Sequence, residues 1–267
     1  MLEINKIYQG NSAELLKQID DNSVDLTVTS PPYDNLREYN GYSFDFESIA
    51  KELYRVTKDG GVVVWVVGDA TVKGSESGTS FRQALFFKEI GFNLHDTMIY
   101  EKINPMPLKS TRYQQCFEYM FILTKNKIKT FNPIMIDCIH KGKVAFGSAI
   151  QKDGSRKKRN TISGNTKKIN KNIFCYSVGR NDGIKHSAKF PEQLAKDHII
   201  SWSNKGDLVL DPFIGSGTTA KVSRELQRHF IGIEISKEYV EIAQKRLSQS
   251  VLFPLDTKQD GGNGIPA

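Results

Sequence analysis

Two stretches of this chain carry residue types that could do chemistry together. The first is Ser30-Pro31-Pro32-Tyr33, directly after the apolar run "VDLTVT". Two prolines stop a buried strand abruptly, and they leave a hydroxyl, a carbonyl held rigid by fixed φ, and a phenol at its end. The second is "VLDPFIGSGTTA", residues 209–220, where a strand runs into a loop with Gly215 and Gly217 and a helix then begins. Glycine lets backbone approach a ligand closely, and the helix N-terminus offers free N–H groups and partial positive charge. No Lys follows the second glycine, so this is not a phosphate P-loop, and the full G-x-G-x-x-G pattern is absent too. The next apolar run, "HFIGIE", ends in Glu234, an acid placed to accept hydrogen bonds from both hydroxyls of a ribose. Glycine loop and acid together read as an adenosine-type cofactor site.

Both loops need strands to deliver them. Apolar runs and helical patterns alternate along the chain. Residues 24–29 read as a strand, and 46–57 as a helix with Ile49, Leu53 and Val56 on one face. "DGG" at 59–61 turns into the strand "VVVWVVG". Residues 80–90 read as a helix with Phe81, Leu85 and Ile90 inward, and 94–100 and 117–124 as strands. After Pro191, which suits a helix first turn, come a helix, the strand "DLVLD", the helix after the glycine loop, the strand "HFIGIE", and a last helix over 237–247 capped by Ser236. Such alternation argues for an α/β fold, a mostly parallel twisted sheet with helices on both faces. Both loops should then leave carboxyl ends of neighbouring strands, where such sheets place ligands, with Pro32 and Gly215 facing each other across one cleft.

From 126 to 180 the periodicity dissolves into Gly, Ser, Asn, Lys and Arg, as in an insertion or small separate domain. Residues 141–172 hold ten Lys or Arg and one acid, Asp153, so this segment carries +9 and the remainder −2 of a formal net charge of +7. Either it is a solvated charged loop, or it is a surface for a polyanion. The longest strongly apolar run, residues 62–67, is far short of a membrane span, and no signal segment opens the chain, so a cytoplasmic protein is expected. Three widely spaced cysteines, Cys116, Cys138 and Cys175, suggest neither a disulfide framework nor a zinc site and read as core filler. No two His, among them His186 and His198, have metal-ligand spacing with nearby acids, so no metal is expected.

"TSPPY", "DPFIGSGTT" and "IGIE", in that order, resemble the β class of S-adenosylmethionine-dependent DNA amino-methyltransferases. "GNSAELLKQIDDNSVDL", "NPMP…FEYMFILTK" and "NIFCYSVG…HSAKFPEQL" support the likeness, which covers all but the tail. The resemblance implies a Rossmann-like methyltransferase domain in two parts, 1–125 with the TSPPY loop and 181–253 with the cofactor loop. Between them, 126–180 would be a basic target-recognition insertion; 254–267 would be a loose tail. It further implies that Asp211, Phe213, Gly215, Gly217 and Thr218 line the cofactor and that Glu234 holds its ribose. Asn11 stands where the family commonly has an acid facing the adenine. Phe190 and Pro191, in "HSAKFPEQL", would flank the methionine part.

The family's chemistry gives the TSPPY loop a role. The methyl sits on a sulfonium, and the nucleophile is an exocyclic base amine whose lone pair is delocalised into the ring. Acceptors aimed at its N–H bonds, the Ser30 hydroxyl and the Pro31 carbonyl held rigid by Pro32, would free that lone pair and stabilise the developing charge. Tyr33 would stack on the base after it leaves the duplex. A serine before the two prolines resembles enzymes acting on cytosine N4; adenine N6 is the alternative. A non-catalytic DNA-binding protein of the same fold, or an RNA-modifying enzyme, are further readings. Carbon-5 chemistry would need a thiolate after a proline, and no cysteine here follows one. The partner would be double-stranded DNA, and a restriction endonuclease of the same system is a second candidate. Arg156, Lys157, Lys158, Arg159, Lys167 and Lys168 would contact the DNA. Asp69 reads as either a cleft acid or a turn acid, Glu118 as a buried pair partner, and Tyr39, Tyr42 and Phe44 as either a lid or ordinary packing.

Overall fold

The computed structural model describes residues 2–32, 44–105, 111–138, 144–162, 166–177 and 191–249. In chain order its first elements are β1 (Lys6–Gln9), α1 (Ser12–Leu15), β2 (Val24–Thr29), α2 (Phe46–Val56), β3 (Thr57–Val67), β4 (Thr71–Val72), β5 (Ser75–Glu76), α3 (Thr79–Glu89), β6 (Asn93–Lys102) and β7 (Phe117–Thr124). There follow β8 (Met135–Asp137), β9 (Val144–Ile150), β10 (Arg156–Ile162), β11 (Lys167–Ile169), β12 (Ile173–Tyr176), α4 (Glu192–Trp202), β13 (Leu208–Asp211), α5 (Thr218–Glu225), β14 (His229–Glu234) and α6 (Lys237–Gln249). Among the described residues no helix is long and apolar enough to cross a membrane.

Eight strands make one sheet in the order β1-β14-β13-β2-β3-β7-β6-β12. Every neighbouring pair is parallel except those made by β7, which runs antiparallel to β3 and β6. The sheet is doubly wound. From β2 the chain moves through α2 to β3 on one side, and from β13 through α5 to β14 on the other. Adjacent β2 and β13, with Val209 opposite Leu26 and Leu210 opposite Thr27, are therefore the switch point where such sheets open a crevice.

The central strands are apolar on both faces because both faces are covered. Along β3, Val63, Trp65 and Val67 join a core with Ile49 and Leu53 of α2 and Phe87 of α3. The alternate residues Val62, Val64 and Val66 join a second core with Leu194, Ile199 and Trp202 of α4 and Val222 of α5. Helix α2 begins where Asp45 accepts from the Ser48 N–H at 3.2 Å, and it buries Ile49, Leu53 and Val56 as its spacing predicts. The last helix is capped as expected, with the Ser236 hydroxyl 3.5 Å from the Tyr239 N–H.

Two expectations need correction. Helix α3 lies where the spacing placed it but is rotated: Phe81 and Leu85 are half or more exposed, while Ser80, Gln83, Ala84 and Phe87 are buried. Polar partners explain the phase. Gln83 Oε1 accepts from the Trp65 indole at 2.8 Å, and Ser80 Oγ donates to Asp69 at 2.5 Å, so both polar residues enter the core satisfied. Asp69 also accepts from the Ser80 N–H at 2.9 Å, which makes it a turn acid holding the start of α3.

The basic segment forms strands that its periodicity did not mark. β9 pairs with β10 in an antiparallel ribbon, β8 pairs with β11, and β12 adds to the main sheet beside β6. The cysteines, finally, are not core filler. Cys116 and Cys138 are half-buried, and exposed Cys175 donates to Glu101 Oε2 at 2.7 Å.

Two other side chains have structural roles, Glu118 half-buried and His198 in the core. Glu118 pairs with Lys102 at 2.6 Å. His198 is buried, accepts from the Trp202 indole at Nδ1 (3.2 Å) and faces Met120 Sδ with Nε2 (3.2 Å). Burial pushes its pKa down to about 3, so it is neutral.

Candidate active site

The TSPPY and glycine loops leave the same edge of the sheet, from the ends of adjacent parallel strands. A buried carboxylate ties those ends together. Asp211, the last residue of β13, accepts from Thr29 Oγ1 at 2.7 Å and from Thr219 Oγ1 at 2.7 Å, and its Oδ1 also takes the Phe213 N–H at 3.0 Å. The arrangement joins the end of β2, the end of β13 and the first turn of α5. Desolvation raises the Asp211 pKa to about 6, against the opposing pull of those three hydrogen bonds. The resemblance gave Asp211 a place in the cofactor lining; its carboxylate holds the loops from beneath.

Glu234 ends β14 one strand over. Its Oε2 accepts from the Gly215 N–H at 2.9 Å and its Oε1 from the Ser236 N–H at 2.8 Å. Each oxygen keeps lone-pair capacity for one further donor, so the carboxylate suits a vicinal diol. Burial raises its pKa, opposed by backbone hydrogen bonds from Ser236, Gly215 and Ile235. The loop it holds needs its glycines. Gly215 and Gly217 have φ of 51° and 82°, the left-handed region, and a Cβ on Gly217 would lie 2.8 Å from Ala243 Cβ of α6. Thr218 opens α5 and is buried.

On the other side of the switch point, Pro31 is buried and Ser30 and Pro32 are half-buried. Tyr33, Tyr39 and Tyr42 lie outside the described residues, as do Phe190, His186 and Ser187. Phe44 is packing: its ring meets Phe213 of the glycine loop edge-on at 5.6 Å and Phe46 at 6.2 Å. These aromatics adjoin a cavity of about 330 Å³ lined by Phe44, Phe46, Phe86, Glu47, Thr79, Arg82 and Gln83.

Asn11 ends the loop after β1 and caps α1, its Oδ1 accepting from the Ala13 N–H at 2.8 Å. The neighbouring Ser12 hydroxyl donates to the Pro212 carbonyl at 2.5 Å, fixing this loop against the glycine loop. Pro191 is the residue before α4.

Three residues that the motifs did not single out complete the frame. Thr29 is the donor already described. Glu192, next to Pro191, accepts from Lys221 of α5 at 2.7 Å and also pairs with Arg246 of α6. Arg246 in turn donates to the Ser216 carbonyl at 3.2 Å and to Thr218 Oγ1 at 3.0 Å. Glu192 lies inside "FPEQL" and was within reach of the sequence. Arg246, on a helix face without a motif, gave no signal.

In the basic segment the ladder sets Arg156 opposite Ile150, Lys157 opposite Ala149, Lys158 opposite Ser148 and Arg159 opposite Gly147. Arg156 and Lys157 are exposed, and so are Lys167 and Lys168 on β11. A ribbon holds alternate positions on common faces, so the consecutive cation positions of β10 divide between its two faces.

Residues 24–245 match the family model described as DNA methylase, of the N6/N4 type. The chain is 53% identical over 248 residues to the orphan methyltransferase M.BamHII of Bacillus amyloliquefaciens, covering 89% of this chain and 93% of that one. It is 31% identical over 260 residues to the type II methyltransferase M.BglII of Bacillus subtilis, covering 92% and 69%. Among solved structures, the M1.HpyAVI–SAM complex superposes with a TM-score of 0.64 at 26% identity, covering 91% of this chain and 98% of that one. The cytosine-N4-specific PvuII DNA methyltransferase shares the fold, with a TM-score of 0.66 at 23% identity, covering 95% and 87%.

Proposed function

The chain belongs to the DNA methylase family, and from that premise we propose that it moves a methyl group from S-adenosylmethionine to the exocyclic N4 of cytosine in duplex DNA. The observation that supports this most is the switch-point pairing: the Thr29–Asp211 bond holds the TSPPY loop and the glycine loop at one sheet edge. A methyl donor on one loop then faces an amine on the other. The glycine loop and Glu234 fit the cofactor by donor chemistry, a carboxylate with free acceptor capacity beside backbone that turns through left-handed glycines. Phe213 would lie along it, Glu234 would hold the ribose, and Asn11 would lie near the adenine. Phe190 and Pro191 would flank the methionine part.

Bound there, S-adenosylmethionine supplies an electrophilic methyl on a positively charged sulfur. The chain's own contribution is electrostatic and geometric. Ser30 Oγ and the Pro31 carbonyl accept from the amine as its nitrogen turns pyramidal, which favours the charge that develops during transfer. Tyr33 stacks on the extruded base. The basic strands β10 and β11 hold the duplex by its phosphates, through those of the cations 156–159, 167 and 168 whose positions face it.

Serine before the two prolines supports cytosine N4; adenine N6 is the second reading. Digestion of modified DNA to nucleosides, followed by mass analysis, decides between them: N4-methylcytosine is expected, and N6-methyladenine would replace it. The geometry itself is tested by Ser30→Ala and Pro31→Ala in single-turnover methylation, each expected to slow the step by roughly 10²-fold. Unchanged rates in both variants would remove the proposal. Relatives of both orphan and type II description are similar to this chain, and the type II relatives support an enzyme of the restriction-modification kind.

A further inference from the structure

Arg246 sits where three distant parts of the chain converge. Its side chain is 12% exposed although it lies in the last helical turns of α6. One guanidinium nitrogen, Nη1, donates to the Ser216 carbonyl at 3.2 Å and to Thr218 Oγ1 at 3.0 Å, on either side of Gly217. The other, Nη2, pairs with Glu192 at the start of α4. Glu192 is shared, since Lys221 of α5 also donates to it at 2.7 Å. The carboxylate is therefore held by cations from two helices and stays below the usual range, in spite of a desolvation that acts to raise it.

The loop these groups grip has reason to need gripping. Its two glycines hold it in left-handed backbone that other residues adopt only with strain, and glycine also leaves the unbound loop the greatest freedom. A loop of this kind binds a ligand well only if something else fixes its shape, because ordering it on binding subtracts from affinity. Glu234 fixes one end through the Gly215 N–H at 2.9 Å. Arg246 fixes the other through the Ser216 carbonyl. A planar, forked donor can satisfy loop and carboxylate at once, which an ammonium point charge cannot.

We propose that Arg246 is a positioning residue that, with Glu192 as its anchor, holds the glycine loop in the shape that receives S-adenosylmethionine, and so sets cofactor affinity while leaving DNA affinity and the transfer step largely untouched. This rests on the reading that the glycine loop is the cofactor site.

The test is calorimetric titration of the full-length protein with S-adenosylmethionine, alongside initial rates on duplex DNA, for R246Q, R246K, E192Q and the double variant R246Q/E192Q, with E234A as a reference. R246Q should weaken cofactor binding about tenfold and raise the KM for cofactor equally, with kcat at saturation and KM for DNA within about twofold of wild type. R246K should recover only part of the loss. The double variant should be no weaker than R246Q alone, because both remove one linkage. Thermal melts of each variant accompany the titrations, and E192Q carries the test if R246Q does not fold. Cofactor affinity within twofold of wild type in the folded variants overturns the proposal, as does a fall in kcat without a change in affinity. If E234A too leaves cofactor affinity unchanged, the site assignment itself has failed; if E234A weakens binding and the Arg246 and Glu192 variants do not, only the positioning role has.

Discussion

The hydroxyl of Thr29 donates to Asp211 Oδ1 across 2.7 Å, and both residues are buried. This bond spans the two strands whose loops carry the proposed chemistry, so the separation of base and methyl depends on it. Thr29→Val keeps the shape and removes the donor, leaving Asp211 with the Thr219 hydroxyl and the Phe213 N–H. A buried acceptor deprived of one partner costs about 1–3 kcal/mol. Misplacing reacting groups by even 1 Å can cost about 10²-fold in rate. The expected outcome is a lower midpoint in urea melts and a kcat reduced about tenfold or more, with Thr29→Ser recovering both. A destabilised T29V enzyme with an unaltered kcat would mean that the bond supports the fold alone.

Asp211 and His198 should give opposite slopes of stability against pH. Asp211 titrates near 6 in the folded protein against 3.8 for the ordinary group. Its contribution is therefore complete below about 3.8 and is lost as pH rises through 6, roughly 3 kcal/mol at 1.36 kcal/mol per unit. His198 titrates near 3 against 6.5, so its contribution is complete above 6.5 and is lost as pH falls toward 3. Between about pH 4 and 6 the two oppose each other. Urea melts across that window should show D211N gaining a steeper rise of stability with pH than wild type, and H198Q gaining a fall. Nitrogen-detected spectra should also show His198 neutral at pH 5 with its proton on Nε2, since Nδ1 accepts from Trp202.

These two residues also mark what sequence reveals and what it hides. The loops at 30–33 and 212–217 were legible because prolines and glycines at strand ends are local signals, and parallel α/β sheets place such ends at one edge. The inward face of α2 was legible from apolar spacing alone. Helix α3 was not, because its inward face includes Ser80 and Gln83, made tolerable by Asp69 and Trp65, which are distant in sequence. The strands of the basic segment were hidden for a related reason. β10 reads "RKKRNTI", without the apolar alternation that marks a half-buried strand. Arg246 acts through three partners that no local pattern brings together.

The basic ribbon makes its own quantitative prediction. Successive positions of a strand serve opposite faces, so the β10 cations divide into 156 with 158 and 157 with 159. Each cation–phosphate pairing removed should reduce the slope of log affinity against log salt by about 0.9. Neutralising the pair that faces DNA should flatten the slope by about 1.8, and neutralising the other pair should leave it near wild type. Binding of labelled duplex across a range of salt concentrations measures both. Equal changes for the two pairs would argue against a ribbon laid with one face on the duplex, and no change in either would remove β10 as a DNA-binding strand.

Gly217 tests the cofactor loop from the packing side. Its φ of 82° disfavours any Cβ, and the Cβ would also lie 2.8 Å from that of Ala243. Left-handed backbone costs a non-glycine residue about 1–2 kcal/mol, and overpacking adds about 1–3 kcal/mol. Gly217→Ala should therefore lose roughly 2–4 kcal/mol in urea melts and weaken cofactor binding as α6 is pushed away. Ala243→Gly in the same chain removes the collision and leaves the backbone strain. The double variant should regain the steric part of the stability, beyond what A243G alone would predict by addition, and much of the cofactor affinity. If stability returns and affinity does not, the left-handed turn itself, rather than the seat of α6 against the loop, governs binding. If neither returns, the close approach of Ala243 is not what Gly217 is there to permit.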